Sequence, residues 1–405
     1  MKILFLSHNF PPEVNAPASR TFEHCKRWVA KGDEVTVITT APNFPVGKVY
    51  EGYKNKFLQE EEIDGIRVVR VWSYIVPNRG FLKRILSFIS FSVTSFLAGL
   101  FAKADVIIAT SPQFFTALSG RTLSFWKRKP WIMEVRDLWP ESIKTVGVMK
   151  DNAAIRYFEK EEMWCYKSAG HIVVVTDSFK RKLSERGVDP DKISVLKNGV
   201  DKALFSPAEG KNQKLLQSLG LEGKIVVGYI GTHGMAHKLD FILQCASKLQ
   251  DSRPDIHFLF IGNGAEKNNL TKLAGTLDLK NVTMLDSVSK SEVRDYISLL
   301  DVCLINLRKS ELFKTVIPSK IFENAAMEVP ILMGVEGEAK EIIESYGAGE
   351  CFEPENEADF FDKLKKINDP HRRDAYKEGC RRLASDFDRI KIADKMNELI
   401  HTFEK

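Results

Sequence analysis

Lys320 and Glu323 are the residues of this chain whose types and spacing most directly suggest chemistry. They lie in Lys314 to Met333, KTVIPSKIFENAAMEVPILM. The stretch reads as a polar, proline-containing approach, an apolar-periodic helix and a short β-like run from Pro330 to Met333. A helix start exposes unpaired backbone N–H groups and a partial positive charge, so with Lys320 beside it the stretch suits a diphosphate. Glu323, one turn further in, cannot bind phosphate, but its carboxylate accepts hydrogen bonds from sugar hydroxyls. The same residues also fit an ordinary helix, in which a first-turn Glu complements the dipole and a lysine is solvated.

Such groups need a frame, and the chain supplies strand–loop–helix units on both sides of a polar linker. Lys2 to Ser7 predicts a buried strand, His8 to Ala18 a loop, Ser19 to about Lys31 a helix stopped by Gly32, and Glu34 to Thr40 a second strand. Ligands bind at the carboxyl ends of strands in open α/β sheets, which is where that loop falls. Further buried strands are predicted at Ile66 to Trp72, Val106 to Thr110, Trp131 to Val135, Ile172 to Val175 and Ile193 to Leu196. After the turn Asn198 to Asp201 and polar sequence from Ser206 to Lys224, a second series follows: Ile225 to Ile230, His257 to Ile261, Val282 to Leu285, Val302 to Ile305 and Pro330 to Met333. The fold class predicted is α/β, with two doubly wound domains at 1–205 and 206–384 facing a central cleft. Residues 385–405 read as helix, packed on one domain or bridging both.

At 405 residues, with 44% hydrophobic and 28% charged residues, the chain has the composition of a folded soluble protein rather than a disordered one. Its six cysteines are scattered without metal spacing, and they read as reduced core residues of a cytoplasmic protein. No export signal is read at the N-terminus, and neither a metal nor a cofactor is expected. The net charge of +5 hides an asymmetry, because residues 1–205 carry a net +9 and the remainder −4. That basic half suits an anionic surface, and no RNA-binding or zinc-finger spacing points to nucleic acid.

Ile85 to Ala102 holds no charge and meets the lower length limit for a membrane span, although five Ser and Thr interrupt it. A helix docked in the interface fits better, with Phe88, Phe91, Phe96, Leu97 and Phe101 facing lipid or core and Arg79, Lys83, Arg84 and Lys103 near headgroups. A buried crossover helix is the competing reading. Glu60-Glu61-Glu62 is predicted to be a solvated turn, Lys127-Arg128-Lys129 a solvated or membrane-facing cluster, and His8, His24, His171 and His257 core or surface residues.

FPPEVNAPASR after the first strand, GDEVTVIT, LKNGVDKALFSP, FIGNGAEK and PSKIFENAAMEVPIL stand in an order that resembles the retaining glycosyltransferases of family 4 over nearly the whole chain. MEVRDLWPES, PSKIFE and GVEGEAKEII look most like the bacterial transferases of L-fucosamine-type sugars in O-antigen or capsule synthesis. The resemblance implies two Rossmann-like domains, the GT-B fold, with the nucleotide-sugar donor held by the second.

It also implies site residues. Glu323 takes the place of the second acid of the family's Glu-x7-Glu motif, on the ribose hydroxyls, whereas Thr315 stands where the first acid contacts the donor sugar. Thr232 and His237, in GTHGMAHKLD, occupy the positions of the family's diphosphate-clamping Arg and Lys. Positive charge is then expected from Lys320, Lys238 and a protonated His237, with the N–H groups near Ser319 and Lys320, and with Gly231 and Gly262 lining the donor. Arg136-Asp137 replaces a His-Asp pair; Arg136 is expected on phosphate or sugar oxygens and Asp137 orienting it or accepting an acceptor hydroxyl, although a buried ion pair fits them too. Asn15-Ala16 replaces paired glycines on the acceptor side. The activity implied is transfer from a nucleotide sugar, UDP-linked and N-acetylated, to a polyprenyl-diphosphate-linked glycan at the inner membrane surface. Two other readings stay open: a hydrolysing nucleotide-sugar epimerase, and a non-catalytic membrane-associated assembly protein with a degenerate transferase fold.

Overall fold

The structure, a computed structural model, describes residues 1–404 except 14, 45, 77–80, 112–113, 141–152, 208 and 290–291. It divides into two compact units, one formed by Met1–Lys197 together with Arg389–Lys405, the other by Asn198–Asp388. The boundaries expected at 205 and 384 therefore move. Val200 pairs with Asp388 and Phe205 lies in the second unit's core, so apolar packing draws both flanks into that unit.

The first unit is built on an eight-stranded sheet: β1 Lys2–Leu6, β2 Glu34–Thr40, β3 Leu58–Ile63, β4 Ile66–Val71, β5 Val106–Thr110, β6 Trp131–Val135, β7 His171–Val174 and β8 Ile193–Val195. Their order is β3-β4-β2-β1-β5-β6-β7-β8, parallel throughout except for β3. Helices α1 Ala16–Ala30, α2 Phe81–Phe101, α3 Phe114–Lys127, α4 Ala153–Ser168 and α5 Asp177–Glu185 connect the strands. Runs such as β5 and β6 are buried at every position, which is why they appear in the sequence as uninterrupted apolar stretches. Helix α1 begins at Ala16, earlier than expected, because Asn15 caps it through a bond accepted from Ala18 N at 2.9 Å.

The expected turn at Glu60 to Glu62 is instead part of β3. This edge strand pairs antiparallel with β4 through a two-residue turn in which Asp64 and Gly65 both take positive φ. Its carboxylates are paired along the edge, Glu60 with Arg67 at 2.8 Å and Glu61 with the buried Arg70.

The second unit carries six parallel strands: β9 Ile225–Ile230, β10 Ile256–Ile261, β11 Val282–Leu285, β12 Val302–Asn306, β13 Ile331–Gly334 and β14 Gly349–Cys351, in the order β11-β10-β9-β12-β13-β14. Around them run α6 Gln213–Ser218, α7 Leu239–Leu249, α8 Lys267–Thr276, α9 Val293–Ser298, α10 Lys320–Ala326, α11 Glu338–Tyr346, α12 Glu357–Ile367 and α13 Pro370–Asp386. The segment expected as one terminal helix breaks at Phe387-Asp388. Its latter part, α14 Arg389–His401, returns to the first unit and packs on α1, with Ile392, Met396 and Ile400 in that unit's core.

Both sheets have a switch point where strand order reverses, between β1 and β5 in the first and between β9 and β12 in the second. Crevices at such points, outside the carboxyl ends of the strands, are where open α/β sheets hold ligands.

Candidate active site

Lys320 sits at the second unit's switch point. Strand β9 places the buried Tyr229 near its end, and the Lys320 Nζ lies 3.5 Å from the centre of that ring. Burial leaves this amine without a hydrogen-bond partner. The tyrosine hydroxyl donates to the Thr232 carbonyl at 2.7 Å, so one side chain fixes both the turn after β9 and the lysine head. Gly231 makes room for the arrangement: a Cβ there would come within 2.7 Å of Lys320 Cε and Nζ. Gly262, at φ +146, presses so close that its Cβ would lie 1.9 Å from the Gly231 carbonyl oxygen. Burial pushes the lysine down to about 7, and Glu323 works against that shift. Cys303 adds no charge near neutrality, since burial pushes its thiol up to about 12. A desolvated, unpaired amine beside close-packed backbone is poised to take an anion, whose charge would hold it protonated.

The other expected cations are not available. His237 is pushed down to about 4 by burial and then by Lys320, so the imidazole is neutral near neutral pH and the expected protonated His237 is corrected. His233, wholly buried with neither ring nitrogen bonded, is likewise pushed to about 4 by burial, Lys267 and Lys320. Both rings contact Tyr229, with centroids 5.9 and 5.7 Å away. Lys238, in the left-handed region at φ +47, is paired with Asp240 at 2.7 Å. Asn306, at the end of β12, donates to the carbonyls of His237 and Lys238 and so holds this loop.

Thr232 is exposed, and the Thr315 hydroxyl donates to the Leu312 carbonyl within its own turn. Helix α10 has only seven residues, Ser319 does not cap it with its side chain, and the N–H groups of Ile321 and Phe322 bond the Pro318 and Ser319 carbonyls. A helix this short contributes little dipole, so the positive charge rests on Lys320. The structure thus groups Tyr229, Gly231, Gly262, Lys320 and Glu323. Tyr229, His233 and Asn306 escape sequence reading, because an aromatic or amide at the end of an apolar strand looks like core.

In the first unit, Arg136 follows β6, next to the switch strand β5. Its backbone N–H donates to the Ser111 hydroxyl at 2.8 Å, and its Nη1 has no partner. The charge nearest in effect is Glu134 rather than Asp137. Glu134 is buried, paired with Arg20 at 2.9 Å, and held at about 2 against its burial by Arg20 and Arg136. Arg20 is further engaged by the carbonyls of Leu196 and Lys197. Desolvation brings Arg136 down to about 10, with Glu134 opposing and Arg20 and Arg389 adding to the shift, so the guanidinium stays charged at neutral pH. Asn15 serves as the cap of α1, with Ala16 its first residue, at the carboxyl edge of the same sheet. Among the described residues, no group of three or more His, Cys, Asp or Glu stands where it could hold a metal ion.

Two family descriptions match the chain in tandem: "Glycosyl transferase 4-like domain" over residues 15–199 and "Glycosyl transferases group 1" over residues 211–382. WcaI of Escherichia coli (strain K12), assigned to colanic acid biosynthesis as a glycosyl transferase, is 26% identical over 88% of this chain and 89% of its own length. TuaH of Bacillus subtilis (strain 168), assigned to teichuronic acid biosynthesis, is 26% identical over 62% of each. Among solved structures, sucrose-phosphate synthase from Thermosynechococcus elongatus superposes with a TM-score of 0.76 at 15% identity, covering 99% of this chain and 98% of that one. HepE of Anabaena, solved with UDP-glucose, superposes with a TM-score of 0.71 at 16% identity, covering 99% of this chain and all of that one. Two doubly wound units, each matched over its own stretch by a glycosyltransferase family description, make this chain a GT-B glycosyltransferase of family 4.

Proposed function

We propose that the protein is a retaining transferase moving an N-acetylated, L-fucosamine-type sugar from a UDP-linked donor to a polyprenyl-diphosphate-linked saccharide in O-antigen or capsule synthesis. The observation that carries the donor half is the Lys320 amine, enclosed, unpaired and held over the Tyr229 ring beside Gly231. UDP is supported by the HepE structure with UDP-glucose, and polysaccharide synthesis by WcaI and TuaH.

In this reading the bond from the sugar's anomeric carbon to the diphosphate oxygen breaks, and a bond to the acceptor hydroxyl oxygen forms on the same face. The hydroxyl proton passes to the departing diphosphate. Negative charge grows on that diphosphate, and the Lys320 ammonium is the cation that meets it. Glu323 accepts hydrogen bonds from the ribose hydroxyls, which fixes the donor without touching the reacting bond. Arg136 offers its unmatched Nη1 to phosphate or sugar oxygens of the acceptor. The acceptor's lipid tail places the reaction at the inner face of the cell membrane.

Steady-state kinetics with purified enzyme test the assignments. Lys320→Ala is expected to lower kcat by well over tenfold, a barrier change above about 1.4 kcal/mol, with a smaller loss sinking the leaving-group role. Glu323→Ala is expected to raise the donor KM; unchanged KM and kcat would refute the ribose assignment. Incubation without acceptor separates a transferase, which at most hydrolyses the donor, from an epimerase, which converts it.

A further inference from the structure

We infer that the paired helices α2 and α3 form a docking face for an anionic phospholipid surface, with the corner at Phe101, Phe125 and Trp126 entering first. The membrane side of the proposed function gives this face its purpose, but the argument for it is independent of the donor site.

Helix α2 is long and apolar enough to cross a bilayer by length and composition. Its packing says otherwise. It joins β4 to β5, two strands of one sheet, and from Ser92 onward lies against α3 in parallel. The Ser92 hydroxyl donates to the Phe115 carbonyl, Ser95 bonds Ser119 at 3.0 Å, and a Cβ on Gly99 would meet Leu123 at 2.5 Å. At the far end Lys127 donates to the carbonyls of Leu100 and Ala102, closing the last turn of α2 with a side chain of α3. One stripe of α2 is therefore committed to the protein: Ser87, Phe91, Thr94, Ser95 and Gly99 are buried.

The opposite stripe is apolar and bare. Leu86, Ile89, Val93, Leu97 and Phe101 recur every three or four residues, all exposed. Of the residues expected to face lipid or core, Phe91 lies in the core, whereas Leu97 and Phe101 are exposed. At the corner where the two helices end, Phe101 is 88% exposed, Phe125 80% and Trp126 66%. A contiguous apolar strip of this kind on a folded surface marks something that covers it.

Charge complementarity selects the occupant. Neither helix carries an acidic residue, and basic side chains stand at both ends: Lys83 and Arg84 at the start of α2, Lys103 and Arg128 at the corner, all exposed. Lys129 is partly offset by Asp105 at 3.5 Å, and Lys127 is spent on the α2 carbonyls. An apolar strip between cationic ends matches acyl chains bordered by phosphate headgroups, and exposed Trp and Phe at the rim are the side chains that settle at that boundary.

The test is co-sedimentation of the full-length protein with vesicles, without donor or acceptor, so that its outcome does not depend on the enzymatic reading. Wild type is expected to pellet with phosphatidylcholine vesicles containing phosphatidylglycerol and to bind pure phosphatidylcholine at least tenfold more weakly. Phe101→Ser with Trp126→Ser, both at exposed positions, should cut binding at least tenfold while circular dichroism and the melting temperature stay at wild-type values. Arg84→Gln with Arg128→Gln should lower binding to the anionic vesicles only, and added salt should mimic it. Equal binding of wild type and the Phe101/Trp126 variant would overturn the inference. So would failure of wild type to bind anionic vesicles, including the case where sedimentation shows a dimer that this variant abolishes, which would make the face a contact between copies.

Discussion

Lys320 is a lysine held where its charge is expensive, and that cost sets the pH dependence expected of it. An ordinary lysine is protonated to above pH 10, whereas this one is pushed down to about 7 by burial. Its folded value lies below its unfolded one, so the penalty on folding is complete below about 7 and fades as pH rises toward the unfolded value. Only the protonated form attracts a diphosphate, so kcat/KM for the donor is expected to fall as pH rises through about 7. Measured profiles should show this alkaline limb in wild type and lose it in Lys320→Met. The same substitution is expected to raise unliganded stability by about 1–3 kcal/mol in urea titration at pH 6, because an uncompensated buried charge is removed. His233 and His237 do not confuse the reading, since burial holds both near 4. The amino-acid sequence exposes Lys320 and Glu323 through their place before an apolar-periodic run, but not what surrounds them. Tyr229 lies in a strand where an aromatic ring is ordinary core, and only the turn after it brings the ring under the ammonium.

At the scale of elements, legibility follows burial. Parallel strands covered on both faces, such as β5, β6, β9 and β12, are continuous apolar runs and are read within a residue or two. Strand β3 is the opposite case, an edge strand alternating exposed and half-buried residues through Leu-Gln-Glu-Glu-Glu-Ile, where three adjacent acids imitate a solvated turn. Its signal lies in Asp64-Gly65, the dipeptide that closes a tight hairpin. Arg70 of β4 makes the edge cohere. Almost wholly buried, it pairs with Glu61 of β3 and donates to the carbonyl of Thr40 at the end of β2 and to that of Pro11 in the loop after β1. Arg70→Met would leave a carboxylate and two carbonyls short of a donor while keeping most of the volume. Destabilisation of about 2–4 kcal/mol is expected, read as a lowered urea midpoint with unchanged m-value.

For the whole molecule the decisive connection is the return of α14. The amino group of Met1 bonds Asp33 at 2.8 Å, and Asp33 in turn accepts from Asn397 at 2.6 Å and lies 3.0 Å from His401, so both ends of the chain meet at one buried carboxylate. Trp28 donates to the Ala393 carbonyl, and Arg27 forms a two-pronged pair with Asp394. A chain ending at Asp388 is expected to lose the cooperative transition of the first unit in calorimetry while the second unit, whose residues 198–388 are unbroken, still melts as a unit. Two transitions at wild-type temperatures in that truncation would show that α14 is dispensable. The same connection orders events during synthesis. The second unit is complete in sequence once Asp388 is made, whereas the first, though its strands are made before those of the second, lacks α14 until the whole second unit has been synthesised. Throughout synthesis of the second unit the α1 face beneath Trp28 is uncovered, so a core begun before that unit is sealed only after it.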